Sequence, residues 1–352
     1  MGTDALASLI MVIVQLEFAG MNILSKLAID SGMNPFVHVA YRQMFASVVA
    51  LPFAYFAERG KRLPMTRPIF IQIFFSSIVG MTVNQITYFV GLKNSTPTIA
   101  CALSNLLPAL TFILAVLFKQ ESARLKTMVG QAKVIGTFVS VGGAMLLSLY
   151  HGPIVPIGES GIHLSIATKM KNSDDSSQGN LIGSCLIIFS AFTWAVWFVH
   201  QAKMFDKYPA PYSSSALMLS MATIQSCLIG LVMEPSLHGW SLYPSIRAFS
   251  SIYAGIVCSA IALFMISWCI ERKGPLFVSV FNPLLLIIVA TLSWGLLQEK
   301  LYLGSVLGSM LIVGGLYVVL WGKRMETRSK VGVMDTQLKE VEQKGREDLE
   351  MP

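Results

Sequence analysis

The chain has 352 residues, of which 54% are hydrophobic and 13% charged, and its formal net charge is +7. The charged share is about half that of a soluble domain, which excludes a soluble enzyme or a water-borne binding module. The positive charge is spread over short connections between apolar runs rather than gathered on one face, which excludes a nucleic-acid footprint.

Ten apolar runs of roughly 20 residues, the length that crosses a bilayer core, follow one another at about 6–27, 36–57, 69–91, 98–118, 134–149, 181–201, 213–233, 248–269, 276–296 and 302–321. They predict an all-α polytopic membrane protein with ten transmembrane helices.

The first run lacks a basic leader and is too long for a cleaved signal segment, so it is expected to stay as a membrane helix. Gln15, Asn22 and Lys26 fall on one of its faces at i, i+7 and i+11. That face suits a cavity wall, or a structural amide ladder. Glu17 points elsewhere, and is a carboxylate placed near the midplane. Arg42, in the second run, is about one and a half turns from that run's start. The short connection makes the two runs antiparallel neighbours, with Glu17 and Arg42 offset by roughly 7 Å along the normal. Buried charges are costly unless paired. An ion pair between them is therefore expected, serving proton coupling or structure; the alternative is that Arg42 reaches outward to the interface while Glu17 stays neutral.

The third run carries Asn84, Thr87, Tyr88 and Gly91 on one stripe. In the fourth, Pro108 deprives the carbonyl of Ser104 of its helical donor, beside Asn105. The fifth has spaced glycines, Gly130, Gly136 and Gly142, which let backbones approach closely. They predict packing within the molecule, or a homodimer through the fifth and tenth helices. Residues 151–180 are rich in Gly, Pro, Ser and Asp and read as a connector. The sixth run presents Trp194, Trp197 and Gln201 at i, i+3 and i+7. They suit either an amphipathic cargo or an interfacial aromatic belt. In the ninth, Asn282 and Pro283 repeat the asparagine–proline theme, and Pro283 frees the Ser279 carbonyl. Residues 324–352 form a charged tail.

Far-apart stretches correspond. VIGTFVSVGGAMLLSLY (134–150) and VLGSMLIVGGLYVVLWG (306–322) share their valines, a lone glycine and a Gly-Gly pair. Pro97 and Pro275 precede the fourth and ninth runs, and both runs end on Gln-Glu at 120–121 and 298–299. Two halves result, 1–150 and 181–323, each with five runs. A repeat with an odd number of spans inserts its second copy inverted, the architecture of many secondary carriers. Of the 26 lysines and arginines, 19 lie in alternate connections and the tail, 6 in the other connections, and Arg42 lies within a run. The positive-inside rule then predicts cytoplasmic termini.

Candidate substrate-binding residues are therefore Gln15, Asn22, Asn84, Tyr88, Asn105, Pro108, Trp194, Trp197, Asn282 and Pro283. No Gly-rich phosphate loop, no metal-ligand spacing and no nucleophile–base set occurs in the sequence. An enzyme, a metal site and a bound cofactor are not expected. The expected partners are a small-molecule substrate and the lipid bilayer.

Residues 18–66, NQITYFVGLKNSTPTIACALSNLLPALTFILAV (84–116), YPAP (208–211), YAGIVCSAIALFMISWCIERKGPLFVSVFNPL (253–284) and LYLGSVLGSMLIVGGLYVVLWGK (301–323) resemble the plant walls-are-thin-related proteins. These are the nodulin-like, EamA-type branch of the drug/metabolite transporter superfamily. The resemblance implies ten helices in two inverted five-helix repeats, and carriage of amino acids, auxin or other small metabolites. Tyr41, Arg42 and Gln43 match the family pattern; Glu17 departs from it, since relatives have glutamine or a small residue there. The leading expectation is a secondary transporter of amino acids in a plant membrane, working by alternating access. Its membrane is the plasma membrane, or alternatively the vacuolar one. Rivals are a carrier of auxin or another small metabolite, and a membrane scaffold or receptor with a vestigial cavity.

Overall fold

A computed structural model describes residues 3–59, 64–95, 97–120, 127–149, 153, 177–297, 303–304, 307–308, 310–322 and 325–326. The connector, the tail and residues 121 and 298–300 lie wholly or almost wholly outside the described residues. Among the described residues the chain is helical between its turns, without a strand. Lipid offers no partner to a backbone N–H or C=O, so each segment must satisfy its own.

Helices α1 (Thr3–Asp30) and α2 (Pro35–Ala57) form a hairpin. Gly32 takes φ +90° in the turn, a conformation glycine adopts without strain. Asn34 then caps α2, its Oδ1 accepting the Phe36 N–H at 3.1 Å. α3 (Arg67–Ser76), a π-helical segment (Ser77–Val83) and α4 (Asn84–Lys93) make one rod. α5 (Pro97–Ser104) and α6 (Leu107–Leu117) are two pieces of one expected span, broken by a turn at residues 105–106 just ahead of Pro108. α7 (Met128–Leu149), α8 (Ser177–Phe205) and α9 (Pro211–Met233) follow. A second rod joins α10 (Ser245–Tyr253), another π-helical segment (Ala254–Ile261) and α11 (Ala262–Lys273). α12 (Pro275–Val280) and α13 (Asn282–Leu297) are again one span in two pieces, and α14 (Met310–Gly322) is the last helix described.

Among the described residues five helices are long and apolar enough to cross a bilayer: Ala5–Asp30, Arg67–Lys93, Leu181–Phe205, Pro211–Met233 and Ser245–Lys273. The breaks at Asn105 and Phe281 divide two further expected spans into shorter helices. Large apolar side chains such as Val48, Phe56, Phe138, Val232 and Tyr317 lie on the outside, where the solvent is hydrocarbon.

α2 runs along α9. At one end of this pair the Glu58 carboxylate accepts the Tyr212 and Ser213 N–H groups at 3.0 and 2.8 Å, which satisfies the first turn of α9 and favours its positive end. Lys26 does the converse for α4, donating to the carbonyls of Leu92, Lys93 and Ser95. It belongs to a helix end, not to a cavity wall.

α7 and α14 cross on their glycines. A Cβ on Gly136 would stand 2.7 Å from the Gly315 carbonyl oxygen, and one on Gly143 would stand 2.8 Å from that of Gly308. The contacts pair 136 with 315 and 143 with 308, so the two helices run antiparallel. Gly142 and Gly314 meet nothing within 4 Å. The close-approach face expected to serve either internal packing or a homodimer is occupied within one chain.

Candidate functional site

A cavity of about 90 Å³ lies where α1, α4, α8 and the two broken spans converge. At 10–15 Å³ per water-sized probe it has room for several waters, the scale of a small metabolite. Helical spacing builds its walls: Phe18, Met21 and Asn22 come from α1, and Asn84, Gln85, Tyr88 and Phe89 from α4. Ser190, Ala191 and Trp194 come from α8. The breaks contribute Ser104 and Leu107 on one side and Asn282 and Leu285 on the other, and α2 contributes Arg42.

The polar groups on this wall are held by one another. Tyr88 donates its hydroxyl to Asn22 Oδ1, and Asn22 Nδ2 donates to the Phe18 carbonyl at 3.0 Å. Asn84 Nδ2 donates to the Ser190 carbonyl at 2.7 Å, with Ser190 Oγ and Thr193 Oγ1 also in reach. Gln43 Nε2 donates to Gln85 Oε1 at 2.9 Å. The π-helical segment ahead of Asn84 is tied to α9 through Thr82, Ser77 and Gln225. The register of this wall therefore depends on a non-α stretch.

The two breaks touch. Asn282 Nδ2 donates to the Ser104 carbonyl at 2.8 Å, the very carbonyl that Pro108 leaves without a helical donor. The reverse contact is not made. Asn105 is 2% exposed, and among the described residues neither of its amide atoms has a partner.

Of the residues expected at the site, Asn22, Asn84, Tyr88, Trp194 and Asn282 line the cavity. Gln15, Asn105, Pro108, Trp197 and Pro283 do not. Pro108 and Pro283 are buried in the first turns of α6 and α13, where they shape the breaks instead of forming a wall. Trp197 stacks on Trp194 with centroids 4.8 Å apart and lies against Gly80, where a Cβ would stand 2.2 Å from its Cδ1. It is 1% exposed, so the aromatic pair is packed inside the protein and is not an interfacial belt. Gln15 and Gln201 are buried beyond the cavity, with amide atoms that find no partner among the described residues.

The expected Glu17–Arg42 ion pair is not formed. Arg42 Nε donates to Ser259 Oγ, and its guanidinium carbon lies 5.4 Å from the Phe89 ring centroid. Glu17 Oε2 has no partner among the described residues. Its backbone carbonyl accepts from Tyr253 Oη at 3.1 Å and Cys258 Sγ at 3.3 Å. The rotation of α2 turns Arg42 toward the cavity and the π-helical segment of the α10–α11 rod. Sequence reasoning also missed Phe18, Gln85, Phe89 and Ser190 as wall residues. Gln85 and Phe89 could have been found beside Asn84 and Tyr88; Ser190 resembles any other small helix-packing residue.

Residues 5–149 and, again, 181–321 match the EamA-like transporter family. The chain belongs to the EamA-like transporter family. Three WAT1-related proteins of Arabidopsis thaliana place it more narrowly. One is 40% identical, covering 90% of this chain and 81% of its own length. A second is 38% identical over 90% and 78%, and a third 34% identical over 92% and 89%. A solved crystal structure superposes on 93% of this EamA-like chain and 99% of its own chain, with a TM-score of 0.67 at 17% identity, a likeness of fold alone. Family and helices together make the chain an integral, multi-pass membrane protein, and the family is one of small-molecule transporters.

Proposed function

We propose that this EamA-like protein is a secondary transporter of a small amphipathic metabolite, with amino acids as the leading class, working by alternating access. Its moving parts are two inverted five-helix repeats, residues 1–150 and 181–323, joined by the connector at 151–180. Three observations support the repeat. The family matches twice, in 5–149 and 181–321. Corresponding rods, Arg67–Lys93 and Ser245–Lys273, each hold a π-helical segment. Corresponding last helices cross antiparallel through reciprocal glycines, Gly136 on Gly315 and Gly143 on Gly308, as an in-plane two-fold would require. The alternation of basic connections favours cytoplasmic termini, and the plasma membrane is the proposed location.

One observation carries the alternating-access reading: Asn282 bonds to Ser104, while Asn105, the asparagine of the other break, is buried and has no partner among the described residues. In a carrier with inverted repeats the two copies exchange conformations as access switches. In the other state Asn282 would release Ser104, and Asn105 would find a carbonyl freed at the other break, such as that of Ser279, which Pro283 leaves without its helical donor. A scaffold with a vestigial cavity has no need of buried amides held in reserve. A second reading, a carrier of auxin or another small organic acid, is favoured by the aromatic wall of Phe18, Tyr88, Phe89 and Trp194 around Arg42.

The test is reconstitution of the purified full-length protein into liposomes loaded with a mixed metabolite pool, with efflux resolved by mass. Selective loss of a small set of compounds is expected. Retention of every compound by liposomes holding folded protein would end the transport reading.

A further inference from the structure

Arg42 supplies the cationic side chain on the cavity wall, and no aspartate or glutamate stands beside it there. It is 5% exposed. Ser259 occupies its Nε and Phe89 lies beneath its plane, and neither neutralises a charge. Among the described residues no carboxylate reaches ion-pairing distance of it, and its two terminal nitrogens make no hydrogen bond. A guanidinium held in a low-dielectric interior without a counter-ion is costly, and groups of this kind mark substrate pathways in membrane proteins.

The surroundings fix how Arg42 is presented. Ser259 sits in the π-helical segment Ala254–Ile261. Gly255, in the same segment, lets it press against α2: a Cβ there would stand 2.6 Å from the Arg42 carbonyl oxygen. With Nε committed to Ser259, the end of the guanidinium fork, Nη1 and Nη2, is left for a ligand. Two parallel N–H donors in one plane match the two oxygens of a carboxylate.

We propose that Arg42 receives the carboxylate of the transported molecule through Nη1 and Nη2, with the apolar body of that molecule against Phe18, Tyr88 and Trp194. This rests on the transport reading above. It also narrows the cargo. A lone ammonium finds no acidic side chain on the wall, so an acid is accepted, its neutral amide poorly, and its amine without the carboxylate not at all. Zwitterionic amino acids and simple aryl acids both satisfy the rule.

Binding of the common L-amino acids and of phenylacetate, each beside its primary amide, is measured by thermal shift on the purified full-length protein. At least one acid should bind about 10- to 100-fold more tightly than its amide, the range for a charge-assisted hydrogen-bonded pair. Arg42→Gln should erase that ratio, and Arg42→Lys should keep part of it. If Arg42→Gln fails to fold, the acid–amide ratio of the natural protein decides by itself. The proposal is overturned if no acid outperforms its amide, or if Arg42→Gln folds and keeps the ratio. Liposome efflux separates the two readings. Acid preference through Arg42 without movement across the bilayer leaves the anchor standing and removes transport. Movement of neutral solutes with no acid preference does the reverse.

Discussion

Among the residues that line the cavity, the amides of Asn22, Asn84 and Asn282 donate to protein oxygens, and that of Gln85 donates to Met81 Sδ. Along α1, Gln15 lies seven residues, about 10 Å, before Asn22. Along α8, Gln201 lies the same distance beyond Trp194. At Gln15, Gln201 and Trp197 Nε1 buried polar atoms find no partner among the described residues, as is also the case for Asn105, next to the cavity-lining Ser104, and for Gln43 Oε1. The first three sit within or beside a packed apolar cluster that includes Met11, Val14, Leu107, Trp197, Phe198 and Phe281. Leaving a buried donor or acceptor unmade costs about 1–3 kcal/mol each, so a set of them is hard to explain in a protein with a single state. One region is a cavity walled by amides that have partners, and the other is packed and holds buried polar atoms that have none among the described residues. That contrast is what a carrier with two access states would show.

The contrast can be broken at its tightest point. Gly80→Val places side-chain atoms within the Trp197 ring and should destabilise the protein by about 3 kcal/mol, the upper range for overpacking, with a matching drop in thermal midpoint. Trp197→Leu in the same chain should restore much of it. Equal midpoints in the single and double variants would mean that the packed region is not held by this contact.

The two asparagines should separate next. Asn282→Ala strands the Ser104 carbonyl and should lower stability by about 1–3 kcal/mol. Asn105→Leu removes two buried atoms that have no partner among the described residues and should raise stability by about 1 kcal/mol. Both should slow liposome transport, Asn105→Leu by about tenfold if one such bond is lost from the opposite state. A destabilised Asn105→Leu, or one that transports normally, would remove the exchange of roles.

Glu17, whose backbone carbonyl accepts from Tyr253 and Cys258, is proposed as the coupling group. Glu17→Gln should flatten the pH dependence of uptake and leave the acid–amide ratio at Arg42 unchanged. An unaltered pH profile would exclude it.

The smallest effect is expected at Glu234, in the loop after α9. Hydrogen bonds from Ser236 and Asn34 hold its carboxyl below the usual carboxylate range. A depressed folded value means that its contribution is present above the unfolded pKa and is lost as pH falls through the folded one. The midpoint difference between the natural protein and Glu234→Gln should therefore be slight at neutral pH and vanish in acid; a difference that persists there would assign it to packing.

Particular residues show how far the sequence could be read. The breaks at Asn105 and ahead of Asn282 were legible because proline removes a named hydrogen bond wherever it sits in a helix, and the freed Ser104 carbonyl is found where that rule puts it. Of the spaced glycines, Gly136 and Gly308 were legible as close-approach sites, whereas Gly142 and Gly314 meet nothing within 4 Å and the Gly143 and Gly315 beside them make the contact instead. The Arg42 pairing was not, because depth can be counted along a helix but rotation about its axis cannot. Two π-helical segments, each shifting the register of the residues that follow, left no pattern in composition or spacing. They help decide which neighbours Asn84 and Ser259 meet.

The sequence by itself determined the solvent, the helical class and the places where helices break, because each follows from local hydropathy or the covalent chemistry of proline. Only the tertiary structure decided that Arg42 faces a cavity and not Glu17, that among the described residues Asn282 and not Asn105 has a partner, and that Trp197 packs against Gly80 behind Trp194. Those outcomes depend on how helices rotate and cross, and helix packing in lipid is set by short-range fit between whole surfaces, which no single residue carries.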